Sequence, residues 1–276
     1  NSMCGRYATI STIEVVEKRF QVEVPENARS KWRPNTNVSH GEWAPVIASD
    51  APKKVQHFQF GFTPRWGKKQ FYMINARSEG DQNSVDDPNY TGAMGIIQKP
   101  MFRQSIRDRR CLIIADAFIE GPQHEKLAKP YVVYPIEKQQ PFSLAGIWDE
   151  WKNPDTGQSI RSFAIITTVA NGLMQAIGHH RSPVVLPPVV EQKWLDLDTP
   201  LSDVTAMLRP FPDKWMNAYP VSPVIRDPRA NGSDLLVPVG QRVYPEYAFS
   251  LHERMEMFGM GESRARNRSQ HQGSLF

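Results

Sequence analysis

A cysteine, Cys4, lies close to the start of the chain and carries its most distinctive chemistry. Asn1 and Ser2 are typical of residues added for expression, and Met3 is the expected initiator. Because a small residue follows Met3, we expect the initiator to be removed, which leaves Cys4 as residue one. Cys4 then holds a thiol and an α-amine on adjacent carbons. The amine, with a pKa of about 7.7–8.0, can condense with an aldehyde to a Schiff base. The nucleophilic thiol can then close a thiazolidine ring.

As an internal residue, Cys4 would instead be a small, half-buried hydrophobic side chain, the usual state of a free cysteine. The second cysteine is Cys111, more than a hundred positions away. A pair so distant predicts neither a disulfide framework nor a zinc site. So few cysteines are typical of a reducing, cytoplasmic compartment.

A carboxylate, Glu120, follows the apolar run of residues 111–119. The end of a strand beside a cleft is a useful position for a catalytic carboxylate. Burial there would raise the pKa of Glu120 and let it donate as well as accept a proton. The alternative is a solvated glutamate at a strand end.

The elements that position these residues can be read from the pattern of apolar residues. β-Branched and aromatic runs predict strands at residues 55–62, 111–119, 131–136, 142–148 and 163–169. Ile13, Val16 and Phe20 share one face of a helix over residues 11–20, which Ser11 caps and Glu14 supports as a capping box. Shorter helices are expected at residues 171–177, 190–195 and 202–208. Residues 80–100 are polar and predict a long loop.

This order of elements indicates an α+β fold. We expect a single domain with a curved, largely antiparallel, open-barrel-like β-sheet flanked by short helices. The domain should span about residues 3–250, and the basic residues 251–276 predict a disordered tail. A chain of 276 residues can bury a sizeable core without a disulfide or a metal.

The net charge of +4 favours a polyanionic partner only weakly, because many enzymes are this basic. Two arginine clusters are more informative, although each could equally be a solvated surface. They comprise Arg103, Arg107, Arg109 and Arg110, and in the tail Arg264, Arg266 and Arg268. The start of the chain has no apolar leader, and no run of about 18 apolar residues occurs, so neither a signal peptide nor a membrane partner is expected.

Four segments, in order, together resemble the SRAP family (SOS-response-associated peptidase), the abasic-site sensors of bacteria and eukaryotes. They are Met3-Cys4-Gly5-Arg6-Tyr7, Asn75-Ala76-Arg77-Ser78-Glu79, residues 111–120, and His179-His180-Arg181-Ser182-Pro183-Val184. Tyr219-Pro220-Val221-Ser222 supports them, and the resemblance covers about residues 3–240. It implies recognition of abasic sites in single-stranded DNA and a covalent cross-link through Cys4, in the cytoplasm at the nucleoid.

The resemblance also implies roles for four catalytic residues. Cys4 forms the thiazolidine with the aldehyde of the opened sugar, and Asn75 orients the sugar or the terminus. Glu120 is the acid and base, and His179 assists proton transfer or positions a phosphate. His180 is an alternative to His179, although the alignment through Arg181 and Pro183 favours His179. No metal and no organic cofactor is implied.

DNA contacts are implied at five further positions. Arg6, Arg77 and Arg181 are candidate phosphate contacts, because a guanidinium pairs two oxygens. Asn37 begins the segment Asn37-Val38-Ser39-His40 near the first DNA-contacting loop, where the family often has Asn-Val-Ala-Pro. Trp66, or else Phe60, could stack on a base. The alternatives are an ion pair of Arg77 with Glu79 and a core position for either aromatic residue.

The chain departs from the family pattern at three other positions. Glu120-Gly121 replaces the usual Glu-Trp, Ser182 replaces a methionine, and Phe60-Gly61 replaces a Trp-Gly pair. The missing tryptophan after Glu120 is expected to alter one wall of the site.

The sequence is also compatible with two other functions: a thiol autopeptidase that removes its own leader, and a non-covalent single-stranded DNA-binding module. A further partner is suggested by Gln272-Gly273-Ser274-Leu275-Phe276, which resembles the short peptides that dock on the bacterial sliding clamp. Leu275 and Phe276 would enter an apolar pocket. Alternatively, these two residues fold back onto the domain or contact nothing.

Overall fold

The computed structural model describes residues 4–136 and 140–245. Residues 1–3 and the clamp-like peptide at residues 272–276 lie outside the described residues. The strands are β1 (Tyr7–Thr9), β2 (Asn35–Val38), β3 (Trp43–Ala48), β4 (Val55–Phe60), β5 (Asn75–Arg77), β6 (Arg110–Ala115), β7 (Ala117–Glu120), β8 (Tyr131–Pro135), β9 (Phe142–Lys152), β10 (Ser159–Val169), β11 (Arg181–Pro183), β12 (Val185–Leu186) and β13 (Met216–Pro220). The α-helices are α1 (Ile13–Phe20), α2 (Glu26–Arg29), α3 (Ser105–Asp108), α4 (Gly172–Ala176), α5 (Glu191–Leu195) and α6 (Leu201–Ala206).

Five strands close into a barrel. The order is β10-β4-β3-β6-β9, and β9 pairs back with β10. All pairs in this ring are antiparallel except β4 with β10. Closure depends on β9 and β10, which have 11 residues each and form a hairpin long enough to pair with further strands on both sides. Three short strands, β5, β11 and β12, extend the barrel sheet. The α+β class with a curved, largely antiparallel sheet is confirmed.

A second, five-stranded antiparallel sheet packs on the barrel, in the order β13-β8-β7-β1-β2. Tyr7 of β1 lies edge-on to Phe60 of β4, with ring centroids 5.6 Å apart, and Phe60 stacks on Phe163 of β10. All three rings are completely buried. Their shared burial removes apolar surface from water and joins the two sheets around one core.

The chain passes from the barrel to the second sheet at Asp116. The predicted strand over residues 111–119 is therefore two strands, β6 and β7. The buried Asp116 carboxylate accepts hydrogen bonds from the Ile10 and Ser11 backbone N–H groups at 2.7 and 2.9 Å and from the Ser11 hydroxyl at 2.6 Å. Ser11 consequently does not cap α1, as the sequence suggested. Thr12 is the N-cap, and its hydroxyl accepts from the Val15 N–H at 3.4 Å.

Half of the first arginine cluster is internal: Arg109 and Arg110 are buried, whereas Arg103 and Arg107 are exposed. The Arg110 guanidinium is buried and donates to four backbone carbonyls, including those of Trp194 and Asp196. Arg109 is also buried and pairs with Asp108 and Asp149. These two cations hold α3 and α5 to the barrel. No α-helix within the described residues is long and apolar enough to cross a membrane.

Candidate active site

The register of the second sheet brings the start of the chain to Glu120. Tyr7 pairs with Phe118, and the Ile119 N–H donates to the Arg6 carbonyl at 3.0 Å. Two residues further toward the N-terminus, Cys4 therefore lies beside Glu120, the last residue of β7. The position of Glu120 at a strand end agrees with the sequence analysis. However, only 5% of its surface is exposed, so it is not a solvated glutamate.

His179 reaches the same place from the loop between α4 and β11. The Gln123 N–H donates to the Gly178 carbonyl at 2.9 Å, which joins this loop to the one that follows β7. The His179 Nδ1 atom lies 2.9 Å from the Gly121 carbonyl oxygen. Since a carbonyl only accepts hydrogen bonds, Nδ1 carries the hydrogen. Nε2 is thereby directed toward Glu120 Oε2, at 3.4 Å.

Cys4, Glu120 and His179 form one buried cluster. One polar side-chain atom of each lies within 4.8 Å of the others, and the exposed fractions of the three residues are 2, 5 and 4%. Among the described residues, Glu120 Oε1 and His179 Nε2 have no hydrogen-bond partner of good geometry. Buried polar atoms are normally paired, so these two atoms are available to a ligand.

Burial controls the protonation of the cluster. It raises the pKa of the Glu120 carboxyl to about 8, an effect that hydrogen bonds from Cys4 and from the Gly121 backbone offset only in part. Burial also lowers the pKa of His179 to about 4 and raises the pKa of the Cys4 thiol well above its ordinary value. At neutral pH the cluster therefore holds a protonated carboxylic acid, a neutral imidazole and a thiol. The pKa values of Glu120 and His179 are shifted in opposite directions from their ordinary values, and such a pair is typical of a site that transfers protons.

Asn75 completes the surroundings of Cys4. It is the first residue of β5, which pairs in parallel with β10, and its Nδ2 group donates to the Cys4 carbonyl oxygen at 3.2 Å. The barrel thus supplies Asn75, whereas Glu120 ends β7 of the second sheet and Cys4 lies in the segment that leads into β1 of that sheet. The structure brings together all four residues that the resemblance marked as catalytic.

An ion-pair network, buried at Arg181 and Glu79 and half-buried at its other members, lies next to this cluster. The two terminal nitrogens of Arg181 each donate to Glu79 at 2.8 Å, and Arg181 is completely buried. Arg77 donates to Asp86 at 2.7 Å, and Asp86 also faces Arg181 at 3.4 Å and His180 at 3.6 Å. Of the two adjacent histidines, His179 is therefore the one at Glu120. Asp86 could not be recognised from the sequence, because nothing distinguishes it from the other acidic residues of its polar loop.

The remaining predicted DNA contacts differ in accessibility. Asn37 is buried, and its amide donates to the carbonyls of Ile225, Asp227 and Ala230. Arg6 donates to Asn37 Oδ1 and to carbonyls of the same loop. Both side chains therefore hold the loop of residues 225–230 against β1 and β2. Trp66, in contrast, is 57% exposed. Phe60 lies in the core, which leaves Trp66 as the stacking candidate.

The chain is similar to known proteins in both sequence and structure. The model of the SOS response associated peptidase (SRAP) family matches residues 3–228. The chain belongs to the SRAP family. It is 28% identical to the abasic site processing protein YoqW of Bacillus subtilis over 241 residues, which covers 85% of this chain and 99% of that protein. It is 24% identical to the abasic site processing protein HMCES of Xenopus tropicalis over 286 residues, which covers 86% of this chain and 78% of that protein.

Solved structures show the same fold. An X-ray structure of a protein from Bacteroides thetaiotaomicron is 28% identical to this SRAP chain, with a TM-score of 0.67 over 79% of this chain and 92% of that one. A protein from Bordetella bronchiseptica, 21% identical, has a TM-score of 0.61 over 79% of this chain and 100% of that one. The latter likeness concerns the fold alone.

The structure explains two departures of this SRAP chain from the family pattern. A Cβ atom at Gly121 would overlap the carbonyl oxygen of Lys126 and lie 2.8 Å from that of Lys129. The backbone after Glu120 consequently has no room for the usual tryptophan. At the other site, the Ser182 hydroxyl accepts from the Asn171 N–H at 3.1 Å. That bond holds the start of α4, which leads to His179.

Proposed function

We propose that this protein captures abasic sites in single-stranded DNA by forming a thiazolidine between Cys4, as residue one, and the aldehyde of the opened deoxyribose. The single observation that carries the proposal is the convergence of Cys4, Glu120 and His179 within 4.8 Å, with Asn75 bonded to the Cys4 carbonyl. Membership of a family whose relatives are named abasic site processing proteins supports the choice of aldehyde. The cross-link would shield the lesion in the DNA damage response.

Each step of the reaction has a group to perform it. The neutral amine of Cys4 adds to the aldehyde carbon. Glu120, protonated at neutral pH because of its pKa of about 8, donates a proton to the departing hydroxyl, and water leaves as the iminium forms. The Cys4 thiol then adds to the iminium carbon and its proton returns to the Glu120 carboxylate. The sum is amine plus thiol plus aldehyde, giving thiazolidine and water.

His179 and Asn75 keep these groups in place. The neutral imidazole directs Nε2 at Glu120, where it can relay a proton to or from the sugar oxygen during ring opening. Asn75 fixes the Cys4 carbonyl and with it the direction of the amine and thiol. Because the amine and the thiol are held beside the bound aldehyde, their reaction with it becomes effectively unimolecular.

We further propose that DNA binding is driven by phosphates and by one stacking contact. In the free protein Arg77 is paired with Asp86, so a DNA phosphate would have to replace that carboxylate. Trp66 is accessible to an unpaired base, a contact worth about 1–3 kcal/mol. Affinity for intact single strands should fall with salt by a log–log slope of about −0.7 per phosphate. Arg77→Ala should reduce that slope; an unchanged slope would exclude the contact.

The test uses protein that begins at Cys4 and three oligonucleotides: abasic, intact, and a tetrahydrofuran analogue without an aldehyde. We expect a heat-stable adduct on a denaturing gel with the abasic strand alone. Cys4→Ala should form none, and Cys4→Ser should form only a borohydride-trappable Schiff base. Cys111→Ala is the matched control, since Cys111 is buried in the barrel away from the cluster. An adduct with Cys4→Ala would overturn the proposal.

A thiol autopeptidase is the second candidate, favoured by the proximity of the Cys4 thiol to His179 and by the family description. The raised pKa of the thiol disfavours the thiolate that such an enzyme needs. Mass spectrometry of a chain that retains Met3 and a leader, incubated without DNA, distinguishes the two. Leader loss that depends on Cys4 and His179, without adduct formation, would favour the peptidase. Retention of intact strands without any adduct would indicate a non-covalent binding module.

We also propose the replication sliding clamp as a second partner, bound through the peptide Gln272–Phe276. Such a partner would place the protein at the nucleoid. The support is sequence alone: two large apolar residues end a polar, basic stretch. A peptide of residues 264–276 should bind purified bacterial clamp in the micromolar range, roughly −8 kcal/mol or weaker. Replacing Leu275 and Phe276 with alanine should abolish binding. Absence of binding at several hundred micromolar clamp (roughly −5 kcal/mol) would exclude the interaction.

A further inference from the structure

The cluster of Cys4, Glu120 and His179 has a second chemistry besides proton transfer. A thiol, a carboxylate and an imidazole are the three side-chain types that bind zinc. Two cysteines far apart in the sequence indicated no metal centre, because the histidine and the glutamate come from other parts of the chain. The fold brings one ligand atom of each within 4.8 Å of the others.

The distances are close to those of a tetrahedral site. Zinc–ligand bonds of about 2.0–2.3 Å place neighbouring ligand atoms about 3.3–3.7 Å apart. His179 Nε2 and Glu120 Oε2 are already separated by 3.4 Å. The remaining separations, at most 4.8 Å, need to shorten by about 1 Å, within the reach of side-chain rotation.

Two further observations point to a ligand at this place. Glu120 Oε1 and His179 Nε2 are buried and unpartnered among the described residues. In addition, the bond from Nδ1 to the Gly121 carbonyl fixes the tautomer that presents Nε2 to a metal. A backbone carbonyl behind a histidine is the usual outer support of a zinc ligand.

We propose that this cluster binds one Zn²⁺ ion when Cys4 is residue one, and that zinc and the abasic aldehyde compete for the same aminothiol. The α-amine and the thiolate of Cys4 would form a five-membered chelate, and His179 and Glu120 would complete four ligands. Coordination releases to solvent the thiol proton, the Glu120 carboxyl proton and, in molecules whose terminus is protonated, the ammonium proton. Zinc remains Zn²⁺ throughout. Magnesium and calcium would not compete, because they prefer oxygen ligands. Competition with the aldehyde rests on the proposed function, whereas zinc binding does not.

The effect of zinc on capture depends on whether zinc or the abasic aldehyde reaches the aminothiol first. Free protein offers zinc an amine and a thiol that can lose its proton to the metal, but the thiazolidine has used both groups in bonds to the sugar carbon. Zinc therefore delays capture and does not reverse it. It would hold the aminothiol inactive until a chelator or a protein with higher affinity removes the metal.

The binding test uses metal-free protein beginning at Cys4, titrated with ZnCl₂ against a chromophoric chelator. We expect one equivalent per chain and at least a tenfold weaker affinity for Cys4→Ser and for His179→Ala. His180→Ala is the matched control, because His180 faces Asp86 and its ring centroid lies 4.9 Å from that of His179. It should retain zinc. Equal affinity of all four proteins, or no binding at micromolar zinc (roughly −8 kcal/mol), would overturn the proposal.

Substitution of Co²⁺ for zinc distinguishes the loss of a single ligand from a failure of the variant to fold. Wild-type protein should show a thiolate-to-cobalt charge-transfer band and tetrahedral visible bands. Cys4→Ser should lose the charge-transfer band, while its thermal unfolding shows that it is folded. Octahedral cobalt spectra in the wild type would contradict the assigned ligands.

Order of addition then separates this inference from the proposed function. Zinc added before abasic DNA should slow adduct formation at least tenfold, and a chelator should restore it. Zinc added after adduct formation should have no effect. If zinc binds and zinc-free protein forms no adduct, the proposed function fails but the metal site stands. If adduct forms at the same rate with saturating zinc, competition is wrong and the proposed function stands.

Discussion

Replacement of Glu120 by glutamine should change both stability and reactivity, in ways that follow from one pKa. The Glu120 carboxyl has its pKa raised from 4.5 to about 8 in the folded protein. The folded state therefore binds a proton that the unfolded state releases between these values, and stability falls as the pH rises through this window. Each pKa unit corresponds to about 1.4 kcal/mol, so the full loss is about 5 kcal/mol. It is complete above pH 8 and absent below pH 4.5.

Glutamine has nearly the same shape and no charge, so Glu120→Gln should be free of this loss. The free energy of unfolding of Glu120→Gln relative to wild type should grow by several kcal/mol between pH 5 and pH 9 (about 1.4 kcal/mol per pH unit inside the window). Urea denaturation in a metal chelator, at one-unit intervals of pH, measures it. Glu150→Gln is the matched control: Glu150 is exposed on β9, and its replacement should change stability by less than about 0.5 kcal/mol at every pH.

The same substitution should slow cross-linking by about 10²–10⁴-fold, the usual contribution of a positioned acid or base. For the wild type, the rate should rise as the amine loses its proton, with a pKa of about 7.7–8.0, and fall as Glu120 ionises. A narrow optimum near pH 8 results. Equal pH dependence of stability in wild type and Glu120→Gln would refute the protonated carboxyl. A rate unaffected by the substitution would refute its catalytic role.

The other predictions are independent of this carboxyl. Protein that retains Met3 should form no adduct, because the Cys4 nitrogen is then an amide; a normal yield, measured on a denaturing gel, would exclude the thiazolidine. Trp66→Ala should weaken binding to intact single strands by about 1–3 kcal/mol without changing the melting temperature; unchanged affinity by fluorescence anisotropy would remove Trp66 from the interface. Arg181→Met should cost about 3–5 kcal/mol, since it leaves the Glu79 carboxylate buried without its partner. A loss below about 1 kcal/mol in urea denaturation would contradict that account.

Much of the fold followed from periodicity in the sequence, and the errors have local causes. The long apolar runs of β9 and β10 were found, with the start of β9 and the end of β10 as predicted; β9 ends four residues later and β10 begins four residues earlier than expected. Strands of two to four residues, such as β1 and β11, were missed because so short a stretch carries no measurable alternation. In the sequence, Ser11 and Thr12 are equally suitable N-cap residues for α1. The carboxylate of Asp116, more than a hundred residues away, decides between them.

The candidate site was predictable in its membership and not in its electrostatics. Cys4, Asn75, Glu120 and His179 were recognised because a resemblance marked them together. Burial of Arg181, in contrast, depends on Glu79 lying across β10 from it, which no local pattern shows. Likewise, the room beside Gly121 is limited by the carbonyl of Lys126, so the missing tryptophan had no explanation before the backbone was known.

The division of the site between two sheets has a consequence for where the aminothiol can react. Glu120 and the segment that carries Cys4 into β1 lie at the second sheet, whereas Asn75 belongs to a strand of the barrel sheet. An unfolded or half-folded chain carries the same terminal aminothiol, but without the acid, the amide or the walls of the site. Under the proposed mechanism, fast cross-linking would be confined to molecules in which the barrel and the second sheet have docked. A copy of the protein that has not completed folding would therefore react only slowly with abasic DNA.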